Sequence, residues 1–308
     1  MANTYAKVSG TFQEADEIYA KVSGTWEEVD EAYGKVSGVW KLVFSAFEAT
    51  SIQTLSSGSG TFSVPAQANA IHIQAAVGGG GGAVGGADYD KAGGESAGAG
   101  GGSGAFISDK IFSVTGGETL TYAIGSSGSG TGKGFNVTAS GGGTTTLSGG
   151  TSGSLFSLTG GGGSSGTGGG VQGPLRSNTA GTAGSATISG TAITSGNFRD
   201  TDGTQKAVTT NTSGPDGTFN SSGNGAVGSN NGNCGGDNCR IGGSNGATSY
   251  DGNISGGAGG SSSGAGTNGT AGTRGSGGGG GAAQVNGGST SGAAGGSGEI
   301  RYRFLKVN

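Results

Sequence analysis

Of the 308 residues, 79 are glycine, about one in four against a background of about 7%, whereas Leu, Ile, Val and Phe together number 47. That apolar share is too small for a conventional core, and a net charge of −4 is too small for a solvated charged coil. The 15 Lys and Arg against 19 Asp and Glu leave no basic surplus for nucleic acid, three prolines exclude a collagen triplet, and no apolar run is long enough to cross a membrane as a helix.

Residues 1–7 lack the basic-then-apolar layout of a secretory signal, so the expectation is a protein made in a cytoplasm. A repeat of period 14 occupies residues 5–44. Tyr5, Tyr19 and Tyr33 align, as do Lys7, Lys21 and Lys35; each Lys is followed by Val-Ser-Gly and then by an aromatic, Phe12, Trp26 or Trp40. Each copy reads as strand, two-residue turn, strand. The acidic pairs Asp16-Glu17 and Asp30-Glu31 are expected between hairpins. In the third copy, Lys41-Leu42-Val43-Phe44 replaces the acidic segment and is expected to pack on the next part of the chain. A 40-residue meander has little core of its own, so Phe12, Trp26 and Trp40 are the expected docking residues for a partner. Residues 1–48 form one predicted unit and 49–308 a second.

From about residue 50 the composition turns to Gly, Ser, Thr, Ala and Asn, with apolar alternation in islands. Phe62 and Val64 precede Ile71, Ile73, Ala75 and Val77 at period two, which places His72 on a solvent face. Phe112 and Val114, the turn 115–118, and Leu120, Tyr122 and Ile124 read as a hairpin. Leu147, Leu155, Phe156 and Leu158 suggest further strands, and Ile300, Tyr302 and Phe304 alternate with Arg301 and Arg303 in a closing strand. The predicted fold is therefore all-β: hairpin repeats, then a small β-core with glycine-rich excursions. Gly/Ser tracts are ordinarily flexible linkers. Threading them between strands of one core favours a polyglycine-II bundle instead, in which extended threads without Cβ atoms satisfy each other's backbone groups.

Chemistry-bearing patterns are sparse. Residues 127–134 approach the phosphate-loop fingerprint but carry Ser127 in place of its opening Gly and Gly134 in place of Ser or Thr. His72 is the only histidine, and Cys234 and Cys239 lack further ligands for a zinc site. Asp200 with Asp202, and Asp88 with Asp90, do not extend into a calcium cage. Residues 119–198 contain no Asp or Glu, which removes a carboxylate pair from the middle of the chain. No enzyme activity, cofactor or metal is expected. Aromatic and charged residues instead gather in breaks of the glycine tracts: Tyr89, Phe198 with Arg199, Phe219, Arg240 and Tyr250. Turn tips on a rigid scaffold are where a recognition surface is built, so these six are the candidate receptor-binding residues.

Residues 61–77 with the glycine run 78–82, the segment Gly104-Ala105-Phe106 through Phe112-Ser113-Val114 to Leu120, and the closing Gly296-Ser297-Gly298-Glu299-Ile300-Arg301-Tyr302 resemble the phage glycine-rich domain of tail-fibre proteins. In composition the chain is similar to the polyglycine-II distal adhesins of T-even-like bacteriophages, and the N-terminal copies resemble short repeats of phage structural proteins. The resemblance implies a virion protein, assembled in the host cytoplasm, at a tail fibre or tail tip. Residues 5–44 would join other virion proteins, the glycine-rich domain would bind a host-cell receptor, and homo-oligomerisation is compatible with both. Two other readings fit the sequence: a capsid decoration or fibre element without receptor contact, and an ice-binding polyglycine-II protein.

Overall fold

The computed structural model describes residues 47–83, 98–132, 137–166, 178–208, 268–278 and 290–308 as continuous stretches. It also describes the strands of the first 45 residues and short strands at Glu95–Ser96, Ser221–Gly223, Asn233–Cys234, Arg240–Ile241 and Ala283–Gln284. The described residues contain strands and no helix. The fold is all-β.

Each copy of the N-terminal repeat is an antiparallel pair: Tyr5–Val8 with Thr11–Glu14, Tyr19–Val22 with Thr25–Glu28, and Glu31–Val36 with Val39–Ser45. Ser23 and Gly24 have φ of 49° and 94°, the two positive values that match a two-residue turn to the twist of its strands. The register places Lys7 opposite Phe12, Lys21 opposite Trp26 and Lys35 opposite Trp40. Asp16 and Glu17 lie outside the described residues, whereas Glu31 opens a strand instead of standing in a turn.

Two five-stranded antiparallel sheets come next. In the first, the order is Ser221–Gly223, Phe106–Ser113, Ala70–Val77, Glu299–Leu305, Gln53–Leu55; in the second, Ala186–Ile188, Gly153–Leu158, Thr145–Gly149, Thr119–Ala123, Ser59–Ser63. One apolar cluster draws on both sheets, with Ile71, Ile73, Phe112 and Ile300 from the first and Leu120, Leu147, Phe156 and Leu158 from the second. Phe62 stacks on Tyr302 across the sheets with ring centres 4.5 Å apart.

Two local expectations are corrected. Phe106–Ser113 and Thr119–Ala123 do not pair as a hairpin, because the turn 115–118 carries the chain from one sheet to the other. That turn is held by Val64, whose N–H donates to the Glu118 carbonyl and whose carbonyl accepts from Gly117. Alternation specifies which face a residue takes and leaves the strand's partner open. The period-two run from Ile71 also changes parity. A register shift opposite Arg301 and Tyr302 leaves Gln74 as an extra residue, so Ala76, not Ala75, joins Ile71 and Ile73 in the shared cluster.

The glycine tracts are extended threads that bond to one another, and thread 78–83 lies among six others. Its N–H groups donate in rotation, each third residue returning to the same neighbour. Gly78 and Gly81 reach Ala105 and Gly102, Gly79 and Gly82 reach Gly143 and Ser140, and Gly80 and Ala83 reach Gly296 and Ala293, at 2.7–3.0 Å. These three neighbours run antiparallel to it. Its carbonyls accept from Gly128 and Thr131, from Gly161 and Ser164, and from Gly278, at 2.7–3.1 Å, and those three threads run parallel. Three residues per turn with bonds radiating to six neighbours is the polyglycine-II arrangement. A Cβ on Gly81 would fall on the Gly162 carbonyl, so only glycine permits this spacing there.

Candidate functional site

Seven of the described threads leave or enter the sandwich at one end, and an eighth segment, 268–278, turns back there at Arg274-Gly275 without joining a sheet. Ala70–Val77 continues into thread 78–83, Thr119–Ala123 into 125–131 and Gly153–Leu158 into 159–164. Returning threads lead into Phe106–Ser113, Thr145–Gly149, Ala186–Ile188 and Glu299–Leu305. The seam is closed by Thr145, whose Oγ1 donates to the Val77 carbonyl at 2.8 Å and accepts from the Gly125 N–H at 2.9 Å.

The chain enters the sandwich at the other end. Ala49 is buried with Ala70 and Leu305, the Thr50 N–H donates to the Phe304 carbonyl, and the Thr50 hydroxyl accepts from the Phe304 N–H. Phe47 packs against the main core, so the residue that succeeds the hairpins is anchored to the sandwich. The turn at Glu118 is also at this pole. Burial pushes the Glu118 carboxyl up, but bonds from the Ser152 hydroxyl and from the Thr115, Ser152 and Thr151 amides outweigh it and hold the pKa below its ordinary value.

Beyond the threads, at the pole away from the sandwich, short strands pair: Val137–Thr138 with Ser165–Gly166 with Asn178–Thr179, Glu95–Ser96 with Asn233–Cys234, and Arg240–Ile241 with Ala283–Gln284. Glu95–Ser96 lies just before thread 99–105 and Ala283–Gln284 just after thread 275–278, which locates these pairs at that pole. Arg240, in register with Gln284, is thereby placed there. Tyr89, Phe219 and Tyr250 lie outside the described residues.

Phe198 and Arg199 are elsewhere. They form a hairpin, Asn197–Arg199 with Gln205–Ala207, that lies on the outer face of the first sheet near the chain's entry point. Phe198 is buried with Ala70, Ile111 and Leu305, and its ring centre lies 5.5 Å from the Arg303 guanidinium. Its aromatic surface is spent on packing. Arg199 is half-buried and its Nη1 donates to the Gly203 carbonyl at 2.9 Å. Asp202 accepts from the Thr204 N–H and hydroxyl, while Asp200 accepts from Arg303 and Lys206. Burial pushes the Asp200 carboxyl up, yet Lys206, the Thr201 amide and Arg303 together bring it down to about 2. Among the described residues no group of His, Cys, Asp and Glu is arranged to hold a metal ion.

His72 does not face solvent. It is buried, because the segment carrying Ile193, Phe198 and Val208 covers the outer face of the sheet. No sequence pattern announces that cover, since the segment's apolar residues are few and irregularly spaced. Ser127, Gly128 and Ser129 lie in a thread, not in a loop opening a helix, which removes the phosphate-loop reading.

Among the described residues, the large apolar side chains with the greatest exposure include Trp26 at 66% and Tyr19 at 50%. Lys21 Nζ lies 6.0 Å from the Trp26 ring centre, a distance that leaves the ring largely open. Phe12 and Trp40 occupy the equivalent register positions in their hairpins.

A family model described as a glycine-rich domain matches residues 54–305. No curated protein matches the chain. The matched span takes in the sandwich and the threads, and the chain belongs to this glycine-rich domain family.

Proposed function

We propose that this chain is a bacteriophage virion protein of the tail fibre or tail tip that binds a receptor on the host surface. The observation that carries the reading is its polarity. The arm of hairpins joins the sandwich at one pole, and the threads run out to paired short strands at the opposite one. A backbone-bonded bundle that carries loops at its far end is a scaffold for recognition. Arg240 stands at that end; the sequence candidates Tyr89, Phe219 and Tyr250 lie outside the described residues. Phe198, being buried, has no part in it.

At the near pole, Trp26 and the positions of Phe12 and Trp40 supply the surface that docks to other virion proteins. A two-stranded hairpin with an exposed tryptophan gains from burying it against a partner. Purified protein competes with phage for adsorption to host cells, and replacing Arg240 and Tyr250 by Ser weakens that competition. A folded protein that leaves adsorption untouched at saturating concentration removes the receptor role in favour of a fibre or capsid element. Removing residues 1–44 releases the protein from particles while the sandwich still folds; retention on particles removes the docking role.

A further inference from the structure

A continuous chain of polar side chains crosses the buried outer face of the first sheet. His72 on Ala70–Val77 has Nε2 3.2 Å from Asp109 Oδ1, and Arg303 Nε donates to His72 Nδ1 at 3.2 Å. Arg303 Nη1 donates to Asp200 Oδ1 at 2.5 Å, and Lys206 Nζ bonds the other Asp200 oxygen. The chain therefore reaches from the sheet into the hairpin above it. Phe198, beneath the Arg303 guanidinium, adds an apolar contact at the same place.

An arginine Nε–H is always a donor, so Nδ1 of His72 is an acceptor and its single proton sits on Nε2, directed at Asp109. A second proton has one place to go, Nδ1, and there it confronts the Arg303 donor. The imidazole becomes cationic beside a guanidinium, and Asp109 stands at the opposite nitrogen. Among the described residues, the charged groups bonded to the imidazole include Asp109 from Phe106–Ser113 and Arg303 from Glu299–Leu305. Asp200 and Lys206 from the hairpin stand behind Arg303, and Arg199 is turned to the Gly203 carbonyl.

We propose that His72 is an acid-operated catch: proton uptake at Nδ1 displaces Arg303 and loosens the 193–208 cover from the sheet. Asp200, held down at about 2, keeps its charge far below neutral pH, so the carboxylate is not the group that releases the cover. The cover also receives the chain's entry segment, since the Ala49 N–H donates to the Arg199 carbonyl at 2.8 Å. Loosening it frees the joint between the hairpin arm and the sandwich.

Amide exchange of the full chain at about pH 7.5 and about pH 5, corrected for the intrinsic rate, tests this. The amides of Asn197 and Val208, which bond Asn308 and Gly196, lose protection about tenfold at the lower pH, while those of Gly81 and Gly161 in the threads do not change. The His72→Gln variant, whose amide offers a donor and an acceptor that do not titrate, loses this dependence. Equal protection of the cover at both pH values overturns the proposal, as does an undiminished dependence in the variant. Should the variant not fold, imidazole nitrogen shifts of the wild-type protein decide: a proton on Nδ1 in place of Nε2 at about pH 7.5 overturns it as well.

Discussion

In the sandwich, Phe112, Phe156 and Leu147 are sealed from solvent by large side chains of the facing sheet, whereas thread 78–83 is sealed by the backbones of six other threads. The first region gains stability by removing apolar area from water, at about 25 cal/mol per Å². The second gains it from backbone hydrogen bonds, each worth about 0.5–1.5 kcal/mol net, and depends on there being nothing between the chains. The two regions therefore respond oppositely to mass: the sandwich suffers when atoms are removed, the bundle when they are added. Their union at Val77, Gly125 and Thr145 lets a chain with few apolar residues extend a buried interior well beyond its apolar core.

Four substitutions put that contrast to the test. Phe156→Ala empties a fully buried site between the sheets and costs about 3–5 kcal/mol in denaturant unfolding. Gly81→Ala adds a single methyl where the Gly162 carbonyl already stands. Threads must separate and bonds to Gly102 and Gly278 weaken, for a loss of about 3 kcal/mol by the same measurement. If Gly81→Ala is tolerated, the close packing of backbones is not what holds the bundle.

Asp200 supplies a smaller and pH-dependent share. Its folded value, about 2 against an ordinary 3.8, lies below the unfolded one. The stabilisation is complete above about pH 4 and is lost as the pH falls through 2, amounting to about 2 kcal/mol. Asp200→Asn removes this share at neutral pH and flattens the acid limb of a stability profile. Gly150→Ala is the control for the bundle substitution. It lies in an exposed turn where a Cβ meets nothing within 4 Å, and its unfolding free energy changes by less than about 0.5 kcal/mol.

Legibility in the sequence divides along the same line. The hairpin repeats are readable because Ser23-Gly24 carries the turn and the 14-residue period carries the register. The islands at 59–77, 106–124 and 299–305 are readable as strands because alternation exposes the apolar face. Their partners are not, and the hairpin expected across 115–118 is a crossing between sheets. His72 shows the same limit: its own strand places it opposite Ile71 and Ile73, but its burial depends on a cover more than a hundred residues away. Phe198 reads as a surface aromatic in a polar segment, and only the Arg303 guanidinium and the Leu305 side chain reveal it as a core residue.

The strand-forming islands, the turn chemistry of the hairpins and the glycine and small residues of the threads are properties of the amino-acid order alone, because they depend on local sterics and short-range periodicity. Which threads bond, which sheet each strand joins and which polar residues are buried depend on the assembled fold. Glycine carries no side-chain pattern from which a neighbour can be read. The threefold rotation of N–H donors from Gly78 to Ala83 acquires its partners only when six other segments, some of them about 200 residues away in the chain, are brought alongside.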